Sequence, residues 1–276
     1  MKKILTIAGS DSSGGAGIQA DIKTITAHRM YAMSAVTALT AQNTTGVYGI
    51  QDVDADFVGA QLDAVFSDIV PDAVKIGMVS NADIIKIIAH KLVQYKAKNI
   101  VLDPVMVSTS GKKLLDDNAV LALKKELMPI TNLITPNIAE AKVLCGFAPA
   151  TNEEMEKAGI AIFSEIFAGR DDCGVLIKGG HLADTANDVL RDKSLTYINR
   201  SKRVNNSNTH GTGCTLSSAI ACNLAACLSL YDSIKYAKKY ITLILANDFD
   251  LGQGNGPMNH MTAGGWISKD VLDWYY

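Results

Sequence analysis

Short apolar runs alternate with longer amphipathic stretches along most of this chain. Residues 2–8 form an apolar run that stops at Gly9 and a polar stretch, which predicts a buried strand. Residues 16–27 carry Ile18, Ile22 and Ile25 at helical spacing, and residues 34–40 alternate loosely, as a strand does. Phe57, Leu62, Val65 and Phe66 recur as one helix face. A strand over 73–78 is followed by a helix over 82–93 with Ile84, Ile85, Ile87, Ile88 and Leu92. The run 99–102 is a strand stopped by Asp103-Pro104, and 114–127 is a helix that ends before Pro129. The run 133–135 is a short strand stopped by Pro136, and 138–145 a helix closed by Gly146. A helix over 152–167 and a strand over 174–177 follow. From 188 to 205 the residues turn polar and β-prone, as in a hairpin. Helices over 214–228 and 233–247 precede a glycine-rich stretch at 252–257 and a Trp/Tyr-rich end.

Strands that alternate with helices predict an α/β fold with a mostly parallel central sheet, helices on both faces, and a small β-hairpin or flap. No linker, repeat or low-complexity tract interrupts the pattern, so residues 1–262 read as a single domain and 263–276 as a C-terminal tail of unassigned role. Ligands in such folds collect beyond the carboxyl ends of the strands. Those ends are residues 9–17, 42–43, 77–78, 103–111, 135–140 and 178–181, and every one carries polar residues or glycine.

Composition narrows the function classes. The 276 residues hold 26 Lys+Arg against 28 Asp+Glu, a net charge of −2 with no basic block, which argues against nucleic acid and anionic membranes as partners. The first nine residues mimic the start of a signal peptide, but Asp11 follows the apolar run at once, so a first strand is the better reading. The charge-free run 211–231 is long enough to span a bilayer, yet it is rich in Ser, Thr, Asn and Ala, which predicts a buried helix of a soluble protein. The five cysteines form no CxxC pair, as in a reduced, cytoplasmic protein without a zinc site.

The stretch Asn208-Thr209-His210-Gly211-Thr212-Gly213-Cys214-Thr215-Leu216 reads as a glycine turn that opens a helix. Such a turn offers unpaired N–H groups and the positive end of a helix dipole to an anion, and it nudges Cys214 toward thiolate. The alternative is an ordinary turn before a core helix, with Cys214 as a small buried hydrophobe. Gly15-Ala16-Gly17-Ile18-Gln19-Ala20 matches a dinucleotide fingerprint only superficially. Its glycines lie past the strand end, and no acid stands between Asp21 and Asp52 to hold a ribose. No Walker lysine follows Gly14. Asp103 and Glu140, just past two strand ends, can hold Mg²⁺ directly or through water, or serve as a turn former and a helix N-terminal acid. Lys178 can neutralise phosphate, or be a solvated lysine.

Gly9-Ser10-Asp11-Ser12-Ser13-Gly14-Gly15-Ala16-Gly17-Ile18-Gln19-Ala20-Asp21 closely resembles the opening of the hydroxymethylpyrimidine/phosphomethylpyrimidine kinases of thiamine biosynthesis. So do Thr37-Ala38-Leu39-Thr40-Ala41-Gln42-Asn43-Thr44, Lys75-Ile76-Gly77-Met78, Asp103-Pro104-Val105-Met106, Thr135-Pro136-Asn137-Ile138-Ala139-Glu140, Lys178-Gly179-Gly180-His181 and the stretch 209–218. The match runs in order from about residue 4 to His260. It implies a ribokinase-like fold and ATP-dependent phosphorylation of 4-amino-5-hydroxymethyl-2-methylpyrimidine, then of its monophosphate to the diphosphate. By the same resemblance Gly211, Gly213 and Cys214 form the catalytic anion hole, with Cys214 where many ribokinase relatives carry an aspartate base. Gly9, Asp21, Gln42, Met78 and Val105 match pyrimidine-site positions. Thr209, Thr212 and Lys178 fall in the ATP phosphate region, and Asp103 and Glu140 in the Mg²⁺ region. Gln42 suits an aminopyrimidine on chemistry alone, because its amide donates and accepts together. The superfamily also suggests a homodimer. Residues 108–111 and the tail beyond His260 depart from the pattern. The rival readings are a pyridoxal kinase and, more remotely, a non-catalytic pyrimidine or nucleotide sensor.

Overall fold

A computed structural model describes residues 1–106, 115–180, 185–247 and 249–264, with the side chains of 263 and 264 excepted. Among these residues nine strands form one sheet in the order β3-β2-β1-β4-β5-β6-β7-β8-β9. The parallel body consists of β1 (Lys3–Asp11), β2 (Tyr31–Asn43), β4 (Ala73–Ile76), β5 (Ile100–Leu102), β6 (Leu133–Ile134) and β7 (Gly174–Lys178). Antiparallel strands finish both edges: β3 (Gly46–Asp52) beside β2, and β8 (Asp188–Asp192) with β9 (Thr196–Asn199) beside β7. The chain runs from β1 outward to β2 on one side and to β4 on the other. This reversal places the topological switch point at β1.

The buried strands sort their side chains by alternation. Leu5, Ile7, Val74, Ile76, Ile100, Leu102, Ile134, Val175 and Ile177 face the layer that contains α2 (Ala55–Asp68), α3 (Ala82–Gln94) and α6 (Asn152–Ile166). Ile4, Ala73, Val101, Leu133 and Leu176 face α1 (Gly17–Ala27), α7 (Thr212–Ala225) and α8 (Leu230–Leu245). Thr6 and Lys75 fall on this second face by the same alternation. Two short helices, α4 (Asp117–Ala122) and α5 (Ile138–Cys145), complete the first layer.

The expected α/β architecture holds, with one alternative decided and three local corrections. Of the two readings open for the 188–205 hairpin, a flap or an extension of the sheet edge, the structure has the extension. Strand β3 was not expected, because its residues, Gly46-Val47-Tyr48-Gly49-Ile50, lack a buried face: Tyr48 and Ile50 are exposed. On α2 it is Val58 that enters the core, while Phe57 is exposed. The helix expected over 114–127 starts at Asp117 behind an Asp116 cap and ends as a π-helical turn, Leu123–Leu127. Leu114 lies outside the described residues, as do residues 265–276 of the tail, residues 108–111 and His181. The charge-free run becomes α7, a core helix with ten buried residues, and no described helix is long and apolar enough to cross a membrane.

Candidate active site

Two glycine-rich segments meet above the switch point. After β1 the chain folds back on Asp11, whose carboxylate is buried. Its Oδ1 accepts from the Ser13 N–H at 2.9 Å and the Ser13 hydroxyl at 2.7 Å, and its Oδ2 from the N–H groups of Gly15 at 3.1 Å and Ala16 at 2.8 Å. His210 Nε2, from the segment that leads into α7, reaches the same Oδ2 at 2.8 Å. These bonds hold the Asp11 pKa well below the carboxylate range, although burial alone would raise it. Gly211 has φ +83°, and a Cβ there would overlap the Gly15 carbonyl oxygen, so the two segments lie backbone against backbone. A Cβ on Gly15 would overlap the His210 ring. Gly15 is therefore required by internal packing.

The segment 209–214 forms a tight turn. Thr212 N and Oγ1 both donate to the Thr209 carbonyl, at 3.2 and 2.5 Å, so both predicted threonines shape the turn. Gly213 lies over the ends of β5 and β7: a Cβ on it would stand 2.9 Å from Asp103 Oδ2 and 3.4 Å from Lys178 Nζ. Lys178 Nζ pairs with Asp103 Oδ1 at 2.5 Å, and the Thr135 hydroxyl donates to that oxygen at 3.1 Å. Burial works against the Lys178 charge, but Asp103 and Glu140 outweigh it and raise its pKa. Glu140 occupies the first turn of α5, where it accepts the Asn137 N–H at 2.8 Å in a capping box. Burial pushes its carboxyl up to about 7; Lys178 pulls it down, and the Asp103 charge adds to the rise. The structure thus brings Gly213, Asp103, Glu140 and Lys178 to one spot, as the sequence suggested.

Cys214 stands at the third helical position of α7, half-buried. The expected drift toward thiolate is reversed: burial pushes its thiol up to about 11, against the pull of Lys75 and with the added push of Asp21 and Asp103. Desolvation outweighs the helix dipole here.

Four of the five residues assigned to the pyrimidine side line the ends of β1, β2, β4 and β5. Gly9 is packed so that a Cβ would stand 2.9 Å from Met78 Cε, and the Met78 carbonyl accepts the Thr37 hydroxyl at 2.7 Å. Met78, Val105 and Gln42 are half-buried. Asp21 is the exception. It is fully buried in α1, and its oxygens accept Thr6 Oγ1 at 2.6 Å, Lys75 Nζ at 2.8 Å and Ser218 Oγ at 2.8 Å. A carboxylate sealed in this way cannot touch substrate, so Asp21 is a structural group beneath the site.

Sequence reasoning missed Asp11, His210 and Lys75. Asp11 and His210 both lie in quoted motifs, but no periodicity joins residues 199 positions apart. A lysine inside the apolar run Ala73–Ile76 was the available signal, since a buried ammonium requires a counter-ion. Among the described residues no group of three or more His, Cys, Asp or Glu side chains is placed to hold a metal.

The phosphomethylpyrimidine kinase model matches residues 11–259, about nine-tenths of the chain. The chain belongs to the phosphomethylpyrimidine kinase family. It is a kinase, a phosphotransferase on a ribokinase-like fold. It is 48% identical over 271 residues to the thiamine biosynthesis bifunctional protein ThiED of Geobacter sulfurreducens, covering 98% of this chain but only 54% of that longer protein. It is 47% identical over 259 residues to a hydroxymethylpyrimidine/phosphomethylpyrimidine kinase of Rhizobium meliloti, covering 93% of this chain and 96% of that one. An ADP complex of Bacillus subtilis pyridoxal kinase superposes with a TM-score of 0.85 at 36% identity, covering 95% of this chain and 98% of that one.

Proposed function

We propose that this kinase transfers the γ-phosphoryl group of ATP to the hydroxymethyl oxygen of 4-amino-5-hydroxymethyl-2-methylpyrimidine, and then phosphorylates the monophosphate to the diphosphate, in thiamine biosynthesis. The observation that carries the reading is the turn 211–214 set over the Asp103–Lys178 pair. The turn supplies backbone N–H groups at a helix N-terminus, and Lys178 supplies a fixed positive charge. Phosphoryl transfer demands little more than positioning and charge neutralisation.

In this scheme the bond between the substrate oxygen and the γ-phosphorus forms as the bond to the β,γ-bridging oxygen breaks; ADP leaves with that oxygen, and the hydroxyl proton passes to an oxygen of the transferred phosphoryl group or to water. Gly213 keeps the turn open, since a side chain there would press on Asp103 and Lys178. Cys214, a protonated thiol, aligns the substrate hydroxyl by hydrogen bonding instead of acting as a thiolate base. Asp103 and Glu140 suit a Mg²⁺ ion that arrives on the nucleotide: such an ion keeps several waters and takes one or two carboxylates together with phosphate oxygens. Asp103 Oδ2, which faces Gly213, fits that donor set, and Mg²⁺ would neutralise charge on the phosphates. Gln42, Gly9, Met78 and Val105 hold the pyrimidine, while Thr209, Thr212 and Lys178 serve the ATP phosphates. Residues 1–262 act as one kinase domain. A homodimer is proposed with it: β3 presents an open sheet edge with Tyr48 and Ile50 exposed, and light scattering measures the mass. A cytoplasmic location suits the free cysteines at 145, 173, 214, 222 and 227.

A coupled ADP-release assay with hydroxymethylpyrimidine, its monophosphate and pyridoxal in parallel tests the reading. Turnover of both pyrimidines, lost on chelation of Mg²⁺, is expected. Faster turnover of pyridoxal would replace it with the pyridoxal kinase reading, and no turnover of any substrate would favour a sensor.

A further inference from the structure

The glycine-rich segment that leaves α8 crosses two parts of the site. It meets the β2–β3 turn first, where the N–H groups of Gln253 and Gly254 both donate to Thr44 Oγ1 at 3.1 Å. A Cβ on Gly254 would overlap the Thr44 carbonyl. Thr44 lies two residues beyond Gln42. The segment then meets the phosphoryl turn. The His210 N–H donates to the Gly256 carbonyl at 3.1 Å, and His210 and Pro257 form a parallel bridge. A Cβ on Gly256 would overlap Asn208 Oδ1. Beyond it, buried His260 meets the Thr215 hydroxyl in the first turns of α7, Nε2 to Oγ1, at 2.9 Å.

Residues 251–255 are exposed and outside any helix or strand, so they bury little apolar surface in return for the entropy lost when they are ordered. Core stability does not explain this exposed half, while the half that follows is anchored, with Gly256, Pro257 and His260 buried and Met258 in the core beside α7 and α8. Among the described residues, the segment's hydrogen bonds to the rest of the chain go to the two elements that must keep a fixed spacing for in-line transfer. We propose that residues 252–260 form a strap that sets the distance between the Gln42 hairpin and the 209–215 turn, with Thr44, Gly256 and His260 as positioning residues for phosphoryl transfer. The proposal rests on the kinase reading above for its catalytic consequence, not for its geometry.

Gly256→Ala tests it, because the severe clash falls on Asn208 Oδ1 and Cγ, which Asn208→Ala removes, leaving only the tight 3.2 Å approach to the Leu251 carbonyl. Gly256→Ala should lower kcat for the pyrimidine about 10-fold or more, as expected for a misplaced reacting group, with a smaller change in KM for ATP and an unchanged thermal midpoint. In the ligand-free protein, alkylation of Cys214 by iodoacetamide, followed peptide by peptide, should change rate several-fold while that of exposed Cys227 does not. The double variant Gly256→Ala/Asn208→Ala should recover both readouts. His260→Ala should repeat the kcat loss, and His260→Gln, which keeps a partner for Thr215, should restore part of it. The proposal is overturned if Gly256→Ala leaves kcat and Cys214 alkylation at wild-type values. It is also overturned if kcat falls in step with the thermal midpoint and Asn208→Ala restores nothing. A wild-type protein without pyrimidine turnover would count against the kinase reading, while the alkylation comparison would still decide the strap.

Discussion

Two lysine–carboxylate pairs flank the turn that opens α7, and they differ in what they can reach. Asp21–Lys75 is sealed: both side chains have no exposure, the ions stand 2.8 Å apart, and the remaining carboxylate capacity goes to Thr6 and Ser218. Asp103–Lys178 is open: the ions stand 2.5 Å apart at strand ends, Lys178 keeps 14% exposure, and Asp103 Oδ2 faces Gly213. The same chemistry yields a sealed rivet in one place and, in the other, a pair at the edge of the crevice that the kinase reading assigns to ligand. The sheet decides which. Lys75 falls mid-run in β4 and points between α1 and α7, whereas Lys178 is the last residue of β7 and overhangs the crevice.

The sharpest way to break this comparison is to remove one lysine at a time. Lys75→Met strands the Asp21 carboxylate in the core, and should cost about 3–5 kcal/mol in denaturant unfolding. Asp21→Asn added to it should recover much of that loss. Lys178→Met should abolish turnover and, because it leaves the buried Asp103 carboxylate with only the Thr135 hydroxyl, should also lower the unfolding midpoint, by less than Lys75→Met since this pair lies at the crevice edge. A Lys75→Met protein as stable as wild type would show that the sealed pair does not pin α1 to β4.

Acidity separates the pairs next. Burial raises the Glu140 carboxyl beside the open pair to about 7, from an unfolded value near 4.5. The native state then binds a proton that the unfolded state releases. The protonated group's contribution is fully present below pH 4.5 and is lost as pH rises through 7, a loss of about 3 kcal/mol at about 1.36 kcal/mol per unit. Glu140→Gln should lack this slope, so the wild-type-minus-variant difference in unfolding free energy should fall across that window. Lys75, whose charge Asp21 holds on against burial, stays protonated throughout it. A flat difference would mean that Lys178 keeps Glu140 ionised at all these pH values.

What the sequence made legible follows the same division. Strand and helix positions could be read because each carries its own period, and the open site because its residues all sit at strand ends. Asp103, Glu140 and Lys178 were picked out that way, and Gly213 from the glycine turn that opens α7. The sealed pair was hidden, since nothing local says that Asp21 will meet a lysine 54 positions away. Resemblance placed Asp21 in the right neighbourhood but on the wrong side of the wall. The Cys214 thiol was misjudged for a related reason: a helix N-terminus is visible in sequence, and the desolvation that overrides it is not.

Cys214 sits between the two pairs and reports on both. Cys214→Ala should lower kcat about 10²-fold, equivalent to about 2.7 kcal/mol, with ATP binding little changed. Cys214→Asp should retain more activity, because a carboxylate also orients a hydroxyl and can take its proton. Cys214→Ser should stay close to wild type if the thiol acts by hydrogen bonding, and its kcat should show no inflection near the thiol pKa. Wild-type turnover by Cys214→Ala would leave catalysis to the glycine turn and Lys178.

The smallest effect should come from Gln42, which touches neither pair. Its amide lies between His210, at 3.1 Å from Nε2, and Thr40, at 3.2 Å from Oγ1. His210 Nε2 also approaches Asp11 Oδ2, and a carboxylate only accepts, so that ring nitrogen is a donor. In the structure Gln42 Nε2 is the atom facing His210 and Oε1 the one facing Thr40; a donor at His210 calls for the amide turned over, carbonyl toward His210 and NH₂ toward Thr40, whose hydroxyl donates to the Ser10 carbonyl at 2.9 Å. Held in this way, the amide keeps one lone pair and one N–H for a ligand, the complement of an aminopyrimidine edge. Gln42→Met leaves that edge unpaired and should raise KM for the pyrimidine by the equivalent of about 1–3 kcal/mol. Pyridoxal turnover should suffer less, and neither the Mg²⁺ titration nor the unfolding midpoint should move. Equal losses for the two substrates would place Gln42 with the turn and its open pair, as part of the chemistry and not of the choice of ring.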